Sequence, residues 1–255
     1  MPRAARDKSS TGIYHVMLRG VNHQIIFEDD EDYQKFLRTL KHTKEKSGYI
    51  IYAYCLMSNH IHLLIKEAEE DLGIVFRRIG ASYVYWYNRK YGRRGHLFQD
   101  RYKSEAVETD SYFLTVLRYI HQNPYNAGIV ENIADYPWSS YHEYIEEPRL
   151  CDTEFGLSLF SSDRVKAIKL FEEFNLAENQ DRCLDYDQGV RLNDMQATDF
   201  IKSICDVQSP SEIALFEKGK RNKVIKQCRE KGLSIRQIER LTGISFGVIR
   251  GVDSR

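Results

Sequence analysis

The chain has 255 residues, which is enough for one sizeable domain with an appendage or for two small domains. Its formal net charge is zero, but the charge is unevenly distributed along the sequence. Residues 1–130 carry 19 Lys/Arg against 15 Asp/Glu, residues 131–217 carry 7 against 19, and residues 218–255 carry 11 against 3. Two basic segments therefore flank an acidic one, and basic segments attract phosphate backbones.

Three classes of protein are excluded by simple features of the sequence. The five cysteines are scattered, odd in number and without C-x-x-C spacing, which argues against a disulfide framework and a zinc knuckle. The first ten residues are not followed by the apolar stretch of a signal peptide. The longest apolar run, residues 49–57, is far shorter than the roughly 20 residues of a membrane-spanning helix. We therefore expect a cytoplasmic protein with reduced thiols and no membrane partner.

The hydrophobic pattern predicts seven elements in the order β-α-β-β-α-β-α. The predicted strands are 12–20, 49–57, 60–66 and 101–108, and the predicted helices are 30–47, 71–91 and 110–123. Only Ser58 and Asn59 separate the second and third strands, which favours a tight antiparallel hairpin. Pro124 is expected to stop the third helix. The order is typical of an α+β, ferredoxin-like split βαβ fold with an added helix.

Two histidines lie one residue apart in the segment MSNHIHLLI. In a strand, successive side chains alternate between faces, so His60 and His62 should point the same way and could share a divalent cation. The alternative is the polar face of a half-buried strand. An H-x-H pair alone does not decide between them.

The third predicted helix supplies a possible partner for the histidines. Its core stripe is Phe113, Val116, Leu117 and Ile120. Tyr119 and Asn123 are four residues apart on the flank of that stripe and could face the histidine strand. The amide oxygen is a credible ligand for a hard cation such as Mg²⁺ or Mn²⁺, and the phenol is a possible nucleophile. A packed tyrosine above a helix-terminal asparagine is the alternative, because the chain has 17 tyrosines.

Three blocks of sequence together resemble the HUH single-tyrosine transposases. The blocks are YCLMSNHIHLLI, GHLFQDRYKS and LRYIHQNPYNAGIV, and the likeness over roughly residues 12–145 is closest to the REP-associated tyrosine transposase branch. The family's metal-binding histidines fall on His60 and His62, its nucleophile on Tyr119 and its third ligand on Asn123. Ser58 departs from the proline usual in this branch.

The resemblance implies a strand transferase that acts on hairpin-forming single-stranded DNA. A bound Mg²⁺ or Mn²⁺ would stabilise charge on the scissile phosphate, and Tyr119 would form a 5′-phosphotyrosine. A catalytically silent DNA-binding regulator that keeps the scaffold is the alternative. His121 projects from another face of the helix and is expected to be structural or to touch DNA. The sequence leaves open a monomer or a homodimer.

Basic and aromatic residues alternate over residues 77–103, a composition typical of single-strand binding surfaces. The DNA-binding candidates here are Arg77, Arg93, Arg94, Arg101 and Lys103. About half of the aromatic residues are expected to pack the helix onto the sheet instead, and the arginines after residue 89 to lie in a loop.

The second basic segment resembles a helix-turn-helix module. In GLSIRQIERLTGISFGVIRGV we predict a capping box at Ser234–Gln237, a helix to Leu241, a turn, and a second helix capped by Ser245. The candidates for duplex DNA binding are Arg236, Arg240 and Arg250; a protein-docking helical hairpin is the alternative. The predicted domains are thus 1–145 (catalytic), 146–215 (an acidic, mostly helical linker) and 216–255 (helix-turn-helix).

Overall fold

The computed structural model describes residues 8–185 and 192–252. Contacts divide this part of the chain into two compact units, which are described separately. The first unit contains residues 8–26 and 31–185, and the second contains residues 27–30 and 192–252.

The first unit is built on a four-stranded antiparallel sheet in the order β2-β3-β1-β4. Its strands are β1 (Ile13–Arg19), β2 (Ile50–Met57), β3 (His60–Lys66) and β4 (Lys103–Ala106). The strand order is that of the ferredoxin-like fold and confirms the predicted fold class. Ser58 and Asn59 form the turn between β2 and β3, as predicted.

Six α-helices follow or separate these strands. They are α1 (Asp30–Ser47), α2 (Leu72–Lys90), α3 (Asp110–Asn126), α4 (Tyr141–Ile145), α5 (Glu154–Ser158) and α6 (Arg164–Leu176). The predicted stripe on α3 is buried throughout, and α3 packs against β2 and β3. On the opposite face of the sheet, Leu18 of β1 lines a cavity together with Phe76 of α2.

Pro124 does not stop α3 as the sequence predicted. The helix continues to Asn126, and Ala127 N–H still donates to the Asn123 carbonyl at 3.0 Å. A proline removes its own N–H bond but leaves its carbonyl free to accept, and here Pro124 O accepts from Ile129 N–H at 3.0 Å. Asn123 is therefore held within the helix, not at its frayed end.

The acidic segment is mostly helical, as expected, but it is not a separate linker. Its helices α5 and α6 belong to the first unit, and α6 packs against α3. Phe171 of α6 is fully buried and stacks on Tyr144 with ring centres 4.6 Å apart. The boundary between compact units falls near residue 190, so the linker predicted over residues 146–215 is divided between them.

The second unit is a small helical bundle. It contains α7 (Asp194–Cys205), α8 (Lys218–Glu230), α9 (Ile235–Thr242) and α10 (Phe246–Arg250), packed around the buried residues Ile201, Ile213, Ile225, Ile238 and Ile249. Ser234 caps α9 by accepting from Gln237 N–H, and Gly243 ends it in the left-handed conformation. The predicted turn between two helices is therefore present, although α10 has only five residues.

None of the helices among the described residues is long and apolar enough to cross a membrane. All five cysteines lie in the described part of the chain, and each is free.

Candidate active site

The two histidines of β3 lie on the face of the sheet that α3 covers. Both side chains are buried, with ring centres 5.0 Å apart and planes nearly perpendicular. His60 Nε2 lies 3.3 Å from Asn123 Oδ1, and His62 Nε2 lies 3.5 Å from Asn123 Nδ2. The structure thus brings the H-x-H pair and the helix asparagine together around one point.

The second ring nitrogen of each histidine is already engaged. His60 Nδ1 lies 2.8 Å from Asn59 Oδ1, an acceptor, so this nitrogen carries the proton and donates it. His62 Nδ1 lies 3.0 Å from Nε2 of His15, a fully buried residue of β1. When both Nδ1 atoms carry their protons, both Nε2 lone pairs point toward the asparagine, which is the arrangement that metal-binding histidines require.

Burial keeps these imidazoles neutral. It lowers the pKa of His60 to about 4, with the nearby Asp185 carboxylate opposing the shift, and lowers the pKa of His62 well below its usual range. Burial also lowers the pKa of His15 to about 3. Neutral imidazoles keep a lone pair for a cation at physiological pH.

The donor set fits a divalent cation with open coordination positions. Two neutral imidazoles and an amide oxygen suit Mn²⁺ or Mg²⁺, although the imidazoles favour the softer Mn²⁺. The described residues contain no group of three His, Cys, Asp or Glu side chains able to hold a metal. A cation here would therefore depend on Asn123 and on ligands from outside the protein, such as phosphate oxygens or water.

Tyr119 lies one helical turn before Asn123, beside the histidines of its own chain. Its ring centre lies 5.6 Å from that of His62 and 5.9 Å from that of His15. Burial, reinforced by a hydrogen bond to Asp185, raises the pKa of the Tyr119 phenol above its ordinary value. The free phenol is therefore protonated at neutral pH and needs assistance to act as a nucleophile.

Three polar partners of this site were not predicted from the sequence. For His121, the sequence did not decide between a structural role and a DNA contact. Asn59 and His15 orient the histidines, and Asp185 contacts Tyr119. His15 could have been found, because strand alternation places it on the same face as Met17, the pairing partner of His62. His121 is fully buried and bonded to Ser140, so it is structural and does not face DNA.

The predicted single-strand binding residues occupy α2, the loop 91–102 and β4. Arg77 and Arg101 line a cavity of about 440 Å³ with Phe76 and Tyr102, whose rings lie 4.5 Å apart. Arg94 is exposed in the loop, as is Lys103 in β4. Arg93 is only half-exposed, since it donates to Gln24 at 2.7 Å. The aromatic residues divide as expected: Tyr83 and Tyr87 are buried, whereas Tyr85 is exposed.

In the second unit, the three candidate arginines differ in their surroundings. Arg236 and Arg250 are exposed. Arg240 is also exposed but forms a two-pronged ion pair with Asp194, with both nitrogen–oxygen distances at 2.7 Å. Its guanidinium is thus already paired with a carboxylate, which weakens its candidacy as a phosphate contact.

Several known proteins are similar to parts of this chain. Residues 8–123 match the family described as IS200-like transposases. The similarity covers the four-stranded sheet of the first unit and most of α3. The chain is 28% identical over 126 residues to a Haemophilus influenzae protein assigned as a REP-associated tyrosine transposase, covering 44% of this chain and 70% of that protein. The REP-associated tyrosine transposase of Escherichia coli is 23% identical over 137 residues, covering 53% of this chain and 78% of that one.

A solved structure supports the fold assignment. A REP-associated tyrosine transposase bound to a REP hairpin superposes with a TM-score of 0.53 and 18% identity, covering 75% of this chain and 99% of that chain. At this identity the similarity establishes the fold, and it agrees with the antiparallel sheet of the first unit.

Proposed function

We propose that the protein cleaves and rejoins single-stranded DNA at hairpin-forming sites through a 5′-phosphotyrosine on Tyr119. The observation that carries the proposal is the convergence of His60 Nε2, His62 Nε2 and the Asn123 amide beside the Tyr119 ring. The similarity to REP-associated tyrosine transposases supports the reaction class, and the structural neighbour bound to a REP hairpin supports the substrate class.

Each residue of the site has a distinct role in this proposal. His60, His62 and Asn123 would hold Mg²⁺ or Mn²⁺, whose positive charge supplies Lewis-acid stabilisation of the phosphate oxygens. Tyr119 attacks the scissile phosphorus and releases a 3′-hydroxyl. Because Tyr119 and both histidines meet within one chain, a monomer has the complete set.

Two surfaces would hold the nucleic acid. The cavity lined by Arg77 and Arg101 combines cations for phosphates with aromatic rings for stacking, which suits unpaired bases. The second unit would bind duplex DNA through the basic helix α8 and the exposed Arg236 and Arg250. Arg240 would act mainly as a structural ion pair with Asp194.

Detection of the covalent intermediate tests the proposal. End-labelled hairpin DNA from the flanks of the gene is incubated with protein and Mn²⁺, denatured and analysed by gel. We expect a protein–DNA adduct that Tyr119→Phe abolishes, whereas Tyr112→Phe, two turns earlier on α3, serves as the matched control and retains it. His60→Ala should abolish the adduct while leaving hairpin binding nearly unchanged, since the cation stabilises the transition state more than the bound ground state.

Three results would contradict this proposal. Binding without any adduct or cutting indicates the silent regulator, and an adduct that persists in Tyr119→Phe assigns the nucleophile to another residue. Cutting without an adduct indicates that water is the nucleophile.

A further inference from the structure

The segment that follows α6 lies along the outer side of α3. We call residues 177–185 the α6 tail. Arg118 of α3 donates to Asp181 at 2.8 Å, and Gln122 of α3 accepts from Asn179 Nδ2 at 2.7 Å. These two anchoring residues stand on either side of the proposed nucleophile in the sequence. The α6 tail is therefore fixed directly beside the reacting phenol.

The end of the α6 tail contacts the reacting atom itself. Tyr119 Oη donates to Asp185 Oδ2 at 2.5 Å. The preceding residue is also anchored, because Leu184 N–H donates to the Glu105 carboxylate of β4 at 3.2 Å. A carboxylate oxygen is thus held in hydrogen-bond contact with the oxygen that attacks phosphorus, which is the first requirement of a general base.

The chemistry of the site requires such a base. A tyrosine phenol is ordinarily protonated at neutral pH, so its proton must leave during attack. The Nδ1 atoms of His60 and His62 are engaged with Asn59 and His15, and their Nε2 atoms are the proposed cation ligands. A carboxylate is a weaker base than a phenolate. It cannot ionise the free tyrosine, but it can accept the proton as the new phosphorus–oxygen bond forms and the phenol becomes acidic.

We infer that Asp185 is a catalytic residue that accepts the Tyr119 proton during attack, an inference that rests on the proposed strand transfer. The bond between Tyr119 Oη and phosphorus forms, the bond from phosphorus to the 3′ oxygen breaks, and the phenol proton moves to Asp185 Oδ2. The departing 3′ oxygen takes a proton from water. In rejoining, a 3′-hydroxyl attacks the phosphotyrosine and loses its proton to water, while Asp185 returns its proton to the tyrosine oxygen.

Single-turnover adduct formation by the full chain tests this inference. With the same hairpin DNA and Mn²⁺, Asp185→Asn should slow adduct formation by about 10²- to 10⁴-fold, the usual contribution of general-base catalysis. The dissociation constant for the hairpin and the melting temperature should stay close to those of the wild type. Glu178→Gln removes the same charge from an exposed position of the α6 tail and should leave the rate unchanged.

A more acidic nucleophile separates base catalysis from positioning. Fluorinated tyrosine introduced at position 119 ionises more readily and depends less on a proton acceptor. Asp185→Asn should therefore reduce the rate of adduct formation far less in the Tyr119→difluorotyrosine protein than in the protein with an ordinary Tyr119. If Asp185→Asn reduced the rate of adduct formation equally in both proteins, the inference would be overturned and Asp185 would be a positioning residue.

Two further outcomes overturn the inference. An unchanged rate in Asp185→Asn shows that the hydrogen bond to Tyr119 has no role in the reaction. A faster rate or tighter hairpin binding shows instead that the carboxylate occupies the place of the DNA phosphate and inhibits the site. Failure of the proposed function is distinguishable from either, because then the wild-type protein forms no adduct.

Discussion

The orientation of the histidines depends on single hydrogen bonds from residues outside the metal-binding set. For His62 to present its Nε2 lone pair, its Nδ1–H must donate to His15 Nε2. His15 is then neutral with its own proton on Nδ1, an atom that has no hydrogen-bond partner among the described residues. Because a buried unpaired N–H group lowers stability, we expect His15 to serve the orientation of His62 and not the stability of the fold.

We expect His15→Ala to weaken Mn²⁺ binding by about 10- to 100-fold, the usual effect of removing a partner behind a metal ligand. His15→Gln offers an amide oxygen to His62 Nδ1 and should recover part of the affinity. Isothermal titration with Mn²⁺ measures both variants. His121→Ala, which truncates another fully buried histidine, is the matched control and should lower stability without changing the Mn²⁺ affinity. Equal Mn²⁺ affinity in His15→Ala and the wild type would show that His62 is oriented without His15.

Among the elements, the sheet was predictable because the sequence features that indicate it involve residues close together in the chain. Strand alternation and the two-residue Ser58-Asn59 turn place His60 and His62 on one face without reference to the rest of the chain. Asp185 was not predictable in this way, since its contact with Tyr119 joins residues 66 positions apart. The burial of Phe171 likewise depends on packing between α6 and the rest of the first unit, and the acidic composition of the segment obscured it.

The end of β1 approaches the loop that follows it too closely for a side chain. A β-carbon on Gly20 would lie 2.1 Å from the carbonyl oxygen of Gln24, while Gly20 N–H donates to the Asn59 carbonyl at 2.9 Å. We expect Gly20→Ala to lower the free energy of unfolding by about 1–3 kcal/mol, the cost of overpacking, and to weaken Mn²⁺ binding by displacing Asn59.

Gly80 provides the matched control for Gly20. It lies inside α2, where a β-carbon would meet no atom within 4 Å. Gly80→Ala should therefore raise the free energy of unfolding by about 0.5–1 kcal/mol. Both tryptophans, Trp86 and Trp138, belong to the first unit, so denaturant titration followed by fluorescence reports its unfolding. If Gly20→Ala had the free energy of unfolding of the wild type, the loop after β1 would move aside without loss of stability.

At the scale of the whole molecule, composition misplaced the boundary between the units. The predicted boundary at residue 216 followed the change from acidic to basic charge, but the core of the second unit begins earlier, with Ala197 and Ile201 of α7. Charge marks the surface of a segment, whereas a domain is defined by the apolar side chains that it buries. The structural boundary near residue 190 follows the second criterion.

Truncation distinguishes the two boundaries and tests the division of labour between the units. A chain ending at residue 189 keeps the His60, His62, Tyr119 and Asn123 set and Asp185, and we expect it to remain monodisperse and to cut a short single-stranded substrate. A chain ending at residue 217 leaves Ile201 and Ile213 without the apolar residues of α8, α9 and α10, so it should aggregate. Size-exclusion chromatography and the adduct assay measure these outcomes, and duplex DNA binding should weaken in the shorter chain because the basic helix α8 is removed. If the chain ending at residue 189 bound hairpin DNA but formed no adduct, the second unit would be part of the active site.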